Sequence, residues 1–388
     1  MENVGKHIDA HVRSHDCESV LPEGLADNPA GRDYGYRSDA FYSKLAELRR
    51  KRRRRKVGLV VVGVILALFV GAGVAVGVYL HTISSAMSMG DEAEELKKAL
   101  AEADTNKPFY MLLVGSDWRE NSGVTDIAEM SGDQQRADVI MLARIDRPNK
   151  LVTLVSIPRD TPYKKADGTY CKINEVYNEG RSAGITRAVS ELTGARISHY
   201  AEVYFSDFEN LIDAIGGVEI DMKSELTGTD PLTDEKIVIK AGKQTLTGKE
   251  AMLLARERKS YDGNQDGIRQ GKIREIVEAM MKRVQKLPAT DLPGVVYGAA
   301  SCVKTDMPVE EILFLANDFR GGVTMYNGSG PSEGQNVEEL DGMWLCYEDP
   351  EGWERLMNVV DSGGDPSDVS YSGDVAKIPG TSETVIIE

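Results

Sequence analysis

Leu151–Asp160, LVTLVSIPRD, is a run of β-formers closed by a proline and followed by an arginine and an aspartate. A short apolar run rich in Val and Leu that stops at a turn signal reads as a buried strand. Pro158 has no N–H to give a ladder and marks the strand's end. In α/β sheets, ligands gather just beyond the carboxyl ends of strands. Arg159 therefore stands where a binding guanidinium is useful, although a surface Arg–Asp pair after a core strand would leave the same trace.

Working outward, Asp138–Ile145 (DVIMLARI) and the turn Asp146–Lys150 predict a hairpin with that strand. Pro108–Gly115 (PFYMLLVG) is the first strand of the globular part and runs into Ser116 and Asp117. A polar, flexible stretch, Trp118–Gln135, separates the two. Downstream, a helix is expected over Glu175–Leu192, broken near Gly184, then a strand at Tyr200–Phe205 and a Ser-capped helix at Ser206–Ile215. Strands at Val218–Met222 and Ile237–Ile239 follow, then the amphipathic helix Thr247–Arg256 and the polar loop Glu257–Gly267. Arg269–Lys286 carries Ile273, Ile276, Val277, Met280 and Val284 on one helical face. A lesser region adds helices at Val309–Asp318 and near Trp353–Val360, with strands near Val323–Tyr326 and Met343–Tyr347. Strands and helices alternate from 108 to about 285, which predicts one α/β domain.

The 388 residues carry a formal net charge of −16, and that average hides an asymmetry. Residues 1–56 hold 13 Lys/Arg against 9 Asp/Glu, leaving 33 against 53 in the remainder. So acidic a remainder excludes a nucleic-acid binder, whose affinity comes from clustered Lys and Arg. The division falls where Arg49–Lys56, eight consecutive basic residues, meets Val57–Leu80, which has no charged residue. Twenty-four such residues span a hydrocarbon core of about 30 Å. The run is too long and too far from the N-terminus for a signal peptide. The basic cluster predicts a cytoplasmic N-terminus and an outer C-terminal part. The expected organisation is a mostly disordered cytoplasmic tail at 1–56, a transmembrane helix at 57–80, a solvated juxtamembrane helix and linker at 81–107, an extracellular domain at 108–360 and a loose tail at 361–388.

Arginines recur at strand and helix ends: Arg136, Arg159, Arg256, Arg258 and Arg269. Arginine is favoured where planar, bidentate recognition of phosphate is needed. Asp117 and Asp138, each beside a strand end, suit a divalent ion that offsets a pyrophosphate, and such hard oxygen ligands favour Mg²⁺. The same residues would also serve as mutual surface ion pairs. Other chemistries lack equipment. There is no G-x-S-x-G elbow and no G-x-x-x-x-G-K-[ST] loop. Beyond the apolar run only His81 and His199 remain, neither at metal-site spacing. Cys171, Cys302 and Cys346 lie outside the membrane, and a Cys302–Cys346 disulfide is the preferred pairing, because both belong to the C-terminal region.

The ordered set FYMLLVGSD, RADVIMLARID, LVTLVSIPRD, KINEVYNEG, AIGGVEIDM, GKQTLTGKEAMLLARER and DGIRQGKIRE, behind one membrane helix, resembles the LytR–CpsA–Psr family over about residues 108–286 and more loosely to 360. The resemblance implies an α/β domain with a central mixed β-sheet flanked by helices, enclosing an apolar pocket for a lipid tail. It implies a cell-envelope phosphotransferase that moves a glycopolymer from a polyprenyl-pyrophosphate donor to a peptidoglycan acceptor beside the membrane lipid. By motif position, Arg136, Arg159, Arg256, Arg258 and Arg269 are implied to bind pyrophosphate, and Asp117 and Asp138 to hold Mg²⁺. Arg159, Asp138, Arg256 and Arg258 are the implied catalytic set, and Leu211, Ile212, Ile276 and Met280 are candidates for lining the slot. The chain departs from the family pattern in its longer Asp117–Asp138 interval, which leaves Asp126 and Asp133 as alternative ligands. It departs again at Lys272 and Ile273, where the family often has Arg and Gln. A pyrophosphatase on the same donors, or a non-catalytic envelope binder, would use the same residues.

Overall fold

The computed structural model describes residues 35–104, 106–116, 136–230, 233–257, 265–369 and 374–387. By contacts the chain divides at Ala72/Gly73. Helix α1, Gly35–Met87, includes the one stretch among the described residues that is long and apolar enough to cross a membrane, Val62–Met87. Helical structure thus begins at Gly35, well before the apolar run.

The second unit is built on a six-stranded sheet: β1 (Phe109–Ser116), β2 (Ala137–Asp146), β3 (Leu151–Ser156), β4 (Ile197–Tyr204), β5 (Val303–Thr305) and β6 (Thr324–Ser329). Its order is β5-β4-β1-β2-β3-β6. The β1–β4 and β3–β6 pairs are parallel, and the others antiparallel, so the sheet is mixed. The β2–β3 hairpin forms as the turn signal predicts, in the register Met141↔Ser156 to Asp146↔Leu151. β3 is buried at every position, the pattern of a strand covered on both faces.

Two apolar layers cover the sheet. On one face, Leu112, Val114, Leu142 and Val155 pack with Leu96, Ile185, Val189, Trp353 and Leu356. These come from helices α2 (Ala93–Ala99), α3 (Val176–Thr193) and α9 (Pro350–Asp361). The juxtamembrane helix expected within 81–107 is therefore docked rather than solvated, with Leu96 fully buried. Helix α3 is interrupted at Arg181 (φ 49°), not at Gly184. On the other face, Met141, Ala143, Val152 and Leu154 meet Ile273 and Phe319. A third cluster joins α4 (Phe205–Ala214), α5 (Gly248–Arg256) and α6 (Gln265–Lys286) to the ribbon Val218–Met222/Gly242–Leu246. The predicted Ser206 cap is replaced by Tyr204, which has no side-chain cap bond. Helices α7 (Leu292–Ala299) and α8 (Val309–Asp318) complete the set.

The C-terminal segment is more ordered than its composition suggests. Asp374–Lys377 pairs with Thr384–Ile387, and Ala376 and Ile378 are buried. Cys171, Cys302 and Cys346 are unbridged, which corrects the preferred Cys302–Cys346 pairing. Cys302 precedes edge strand β5, whereas Cys346 ends a separate ribbon, Gly334–Val337/Met343–Cys346, so a shared C-terminal region does not bring them together. Burial pushes the Cys171 thiol up to about 11 and raises that of Cys302, so both stay protonated at neutral pH.

Candidate active site

Strand direction creates the site. β1 and β3 end, and β2 begins, at one edge of the sheet. Asp138 is the second residue of β2 and Arg159 stands three residues beyond β3, so both reach the same place. Arg159 Nη1 donates to Asp138 Oδ1 at 2.8 Å. Arg159 Nε lies 3.5 Å from Asp160 Oδ2, and Lys172 Nζ lies 2.6 Å from Asp160 Oδ1. Lys172, the last residue of the short strand Tyr170–Lys172, thus braces the residue next to Arg159. From the second turn of α6, Arg269 Nη2 donates to the Asp138 carbonyl at 3.2 Å, and Arg269 is only 4% exposed.

At this edge β1 shifts register between Gly115 and Ser116. A Cβ on Gly115 would come within 3.0 Å of the Val139 Cβ and 3.3 Å of the Phe205 ring. Glycine lets β1 lie close to both neighbours while still facing the cavity beside it.

That cavity has a volume of about 780 Å³. Among the described residues, the only polar side chains lining it are Asp138, Arg256, Arg269 and Gln285; the sheet contributes Leu113, Val139, Met141 and Ala201, and α4 contributes Phe205, Phe208 and Leu211. Arg269, Ile273, Val277, Met280 and Val284 of α6 line it in sequence, following the helical repeat. From Arg269 to Val284 this stripe runs about 22 Å at 1.5 Å per residue. Asp138 and Arg269 meet at the start of the stripe, Arg256 lines the same cavity, and the remainder of the stripe is hydrocarbon until Gln285.

Arg256 is the last residue of α5. A capping box starts that helix: Glu250 Oε2 accepts from Thr247 N at 2.8 Å, and Glu250 N donates to Thr247 Oγ1. Gly248 fits because a Cβ there would lie 2.1 Å from the Glu209 carbonyl oxygen. Helix α5 is thereby held against α4, and its end delivers Arg256 to the mouth.

The structure brings together Asp138, Arg159 and Arg269, and Arg256 lines the same cavity. Arg136 is exposed, directly ahead of β2. Asp117, Arg258, Asp126, Asp133 and the stretch Trp118–Gln135 lie outside the described residues. Leu211 and Met280 line the cavity as expected, whereas Ile212 and Ile276 are fully buried in the α4–α5–α6 core and do not. Two residues gave no signal in the sequence. Arg274 Nη1 donates to Ser156 Oγ at 2.6 Å, and burial lowers its pKa. Glu202 sits beneath the end of β1, accepting from Ser116 Oγ (2.5 Å), Tyr177 OH (2.5 Å) and Tyr200 OH (2.9 Å). Ala201 and Val203 face the cavity, so Glu202 points to the opposite side of the sheet.

Among the described residues no group of three or more His, Cys, Asp and Glu could hold a metal ion. Asp138 offers a carboxylate at the mouth, and a site completed by one further carboxylate and by substrate phosphates is the kind Mg²⁺ takes. Of the two expected ligands Asp138 alone is among the described residues, and Asp117 lies outside them.

A slot that is apolar along its length and cationic at one end is a receptacle for an amphiphile with an anionic head. The chain belongs to the LytR_cpsA_psr family, which it matches over residues 76–344. It is 26% identical over 269 residues to the polyisoprenyl-teichoic acid–peptidoglycan teichoic acid transferase TagU of Enterococcus faecalis, covering 69% of this chain and 84% of that one. It is 28% identical over 254 residues to the corresponding transferase TagT of Bacillus subtilis, covering 63% and 77%. The fold is shared with the crystal structure of B. subtilis TagV, at a TM-score of 0.57 and 22% identity, over 67% of this chain and 98% of that one. It is shared also with TagT bound to LIIa-WTA, at a TM-score of 0.53 and 19% identity, over 68% and 93%.

Proposed function

We propose that this protein is a membrane-anchored phosphotransferase that moves a glycopolymer from a polyprenyl-pyrophosphate carrier to peptidoglycan. The observation that carries the reading is the one-ended charge of the slot: arginines and a carboxylate at the mouth, hydrocarbon for about 22 Å beyond. A pyrophosphate at the mouth with its polyprenyl tail along α6 matches that distribution. Relatives named as teichoic acid transferases with polyisoprenyl-linked donors support the same class of donor and acceptor.

In this reading Arg159, Arg256 and Arg269, with Arg136 and Arg258, grip the two phosphates. An acceptor hydroxyl attacks the sugar-proximal phosphorus, the bond to the bridging oxygen breaks, and polyprenyl phosphate leaves. Asp117 and Asp138 would hold Mg²⁺, whose charge offsets that of the pyrophosphate. Phosphoryl transfer relies on positioning and charge stabilisation more than on covalent help, so fixed guanidinium groups are adequate equipment. An acidic domain accommodates such a site because local charge, not net charge, sets its potential. Helix α1 anchors the protein, with Arg49–Lys56 on the cytoplasmic side and the catalytic unit outside.

The test is mass spectrometry of the purified full-length protein in detergent with a synthetic polyprenyl-pyrophosphate glycan and Mg²⁺, with and without a peptidoglycan oligosaccharide. Polyprenyl phosphate together with a glycosyl-phosphate adduct on the acceptor is the expected result. Polyprenyl phosphate formed regardless of acceptor identifies a pyrophosphatase, and tight donor binding without product identifies a binding protein.

A further inference from the structure

Helix α7, LPGVVYGA, contains no charged residue, yet Pro293, Gly294, Tyr297 and Gly298 are exposed. A helix apolar around its whole circumference belongs in a core or in lipid. α7 is covered on one side only. There Val295 joins the α4–α5–α6 cluster, and Val296 packs with Ile83 and Met87 at the end of α1.

The open side is tied to the membrane anchor. The Tyr297 ring, 57% exposed, stacks on Tyr79 of α1 with centroids 6.2 Å apart, and Tyr79 OH donates to the Pro293 carbonyl. Tyr79 is the penultimate residue of the uncharged run Val57–Leu80. Counted from Val57, about 20 residues cross the hydrocarbon core, which ends near Val76. Tyr79 then lies about 4 Å further along the axis, in the headgroup layer where Tyr and Trp collect. Stacking keeps the Tyr297 ring centroid within 6.2 Å of that of Tyr79.

We infer that α7 is a membrane-seated foot, its Pro293–Tyr297 face immersed among the headgroups of the leaflet from which α1 emerges. The inference rests on the reading of α1 as a membrane span. Its occupant is phospholipid: the face is joined through Tyr79 to the end of the span, carries no charge to desolvate, and presents a tyrosine whose ring and hydroxyl suit an interface.

The foot also orients the slot. α6 leads from Arg269 at the mouth to Val284 at the apolar end, and α7 begins six residues after the last residue of α6. α4, whose Phe208 and Leu211 line the slot, packs on α7, where a Cβ on Gly298 would lie 3.6 Å from that of Ala214. The apolar end is therefore the end next to the foot. A bound donor thus keeps the far part of its tail toward the foot, with its pyrophosphate at the other end of the stripe, about 22 Å along α6.

Depth-dependent quenching tests this. The full-length protein is reconstituted into vesicles of phosphatidylcholine and phosphatidylglycerol, with or without phosphatidylcholine brominated on its acyl chains. Tryptophan is introduced as Gly294→Trp, where a new side chain meets nothing within 4 Å at its Cβ, and as Val375→Trp, an exposed reference on the C-terminal hairpin. The emission added by each variant is read against the background of Trp118, Trp344 and Trp353. Brominated lipid should lower the emission added by Gly294→Trp at least twofold and leave that of Val375→Trp unchanged. Gly294→Trp emission that is insensitive to bromine and open to aqueous iodide overturns the foot, as does equal quenching at both positions. A misread span is a separate failure, seen as protein that does not float with the vesicles. Transfer activity does not enter the readout.

Discussion

Arg159 and Asp138 hold one another at 2.8 Å across the edge where β3 ends and β2 begins. Both side chains are about one-fifth exposed, at 23% and 22%. An ion pair this open to water is worth about 1 kcal/mol or less. Exchanging it for a phosphate on the arginine and a cation on the aspartate therefore costs little. Arg269 grips the Asp138 backbone carbonyl, which ties the start of β2 to α6 independently of the Arg159 pair.

Arg159→Ala should lower turnover about 10²–10³-fold, the usual loss when one charge-stabilising donor leaves a transition state. The thermal midpoint should move by only a few degrees, because the pair it breaks is weak. Arg159→Lys should recover a small part of the rate, since a lysine supplies charge without the bidentate fork. Initial rates of polyprenyl phosphate release, with calorimetry on each variant, check both halves. Wild-type turnover in Arg159→Ala would remove Arg159 from the site.

Asp138→Asn keeps the size of the side chain and one acceptor oxygen but removes the charge. Turnover should fall, and the Mg²⁺ concentration for half-maximal rate should rise at least tenfold, with chelation abolishing activity of the unsubstituted protein. A Mg²⁺ titration of rate decides the matter. Unchanged activity after chelation would rule out a metal role for Asp138.

The sheet was legible because its strands announce themselves: LVTLVSIP and DVIMLARI are apolar runs ended by turn residues, and they pair as a hairpin. The meeting of Asp138 with Arg159 was legible only through motif resemblance, since it depends on three strand ends sharing one edge. Helix faces resolved to within one residue and no better. Leu211 and Met280 line the slot while Ile212 and Ile276 are core, because neighbours on a helix point about 100° apart and nothing local says which angle faces the cavity. The α3 break, expected near Gly184, falls three residues earlier at Arg181, a residue whose own preference gives no sign of it. Glu202 was invisible because its three hydroxyl partners, Ser116, Tyr177 and Tyr200, come from three different elements, and no local pattern records that they meet.

That one-residue distinction on α6 is testable. Val277→Trp should obstruct the slot and raise KM for long polyprenyl donors at least tenfold, with a smaller effect on donors carrying one or two isoprene units. Ile276→Ala, one residue away but fully buried in the core, should cost about 2–4 kcal/mol of stability and leave chain-length preference unchanged. Rates across a donor-length series and denaturant unfolding separate the two. If both variants changed chain-length preference alike, the slot would not follow the Arg269–Val284 stripe.

Glu202 supplies a pH signature. Burial raises its carboxyl above the ordinary value of about 4.5, and the hydroxyls of Ser116, Tyr177 and Tyr200, which favour the ionised form, only partly offset this. Because the folded-state pKa is the higher one, the folded protein binds more protons than the unfolded chain above pH 4.5. Its contribution to stability is complete below that value and is lost as pH rises through the folded-state pKa. Glutamine does not titrate. Glu202→Gln should therefore resist the loss, and the difference between its thermal midpoint and that of the unsubstituted protein should move in its favour from pH 5 to pH 8. Parallel midpoint–pH curves would mean that Glu202 titrates alike in both states and that its hydroxyl cage, not burial, sets its charge.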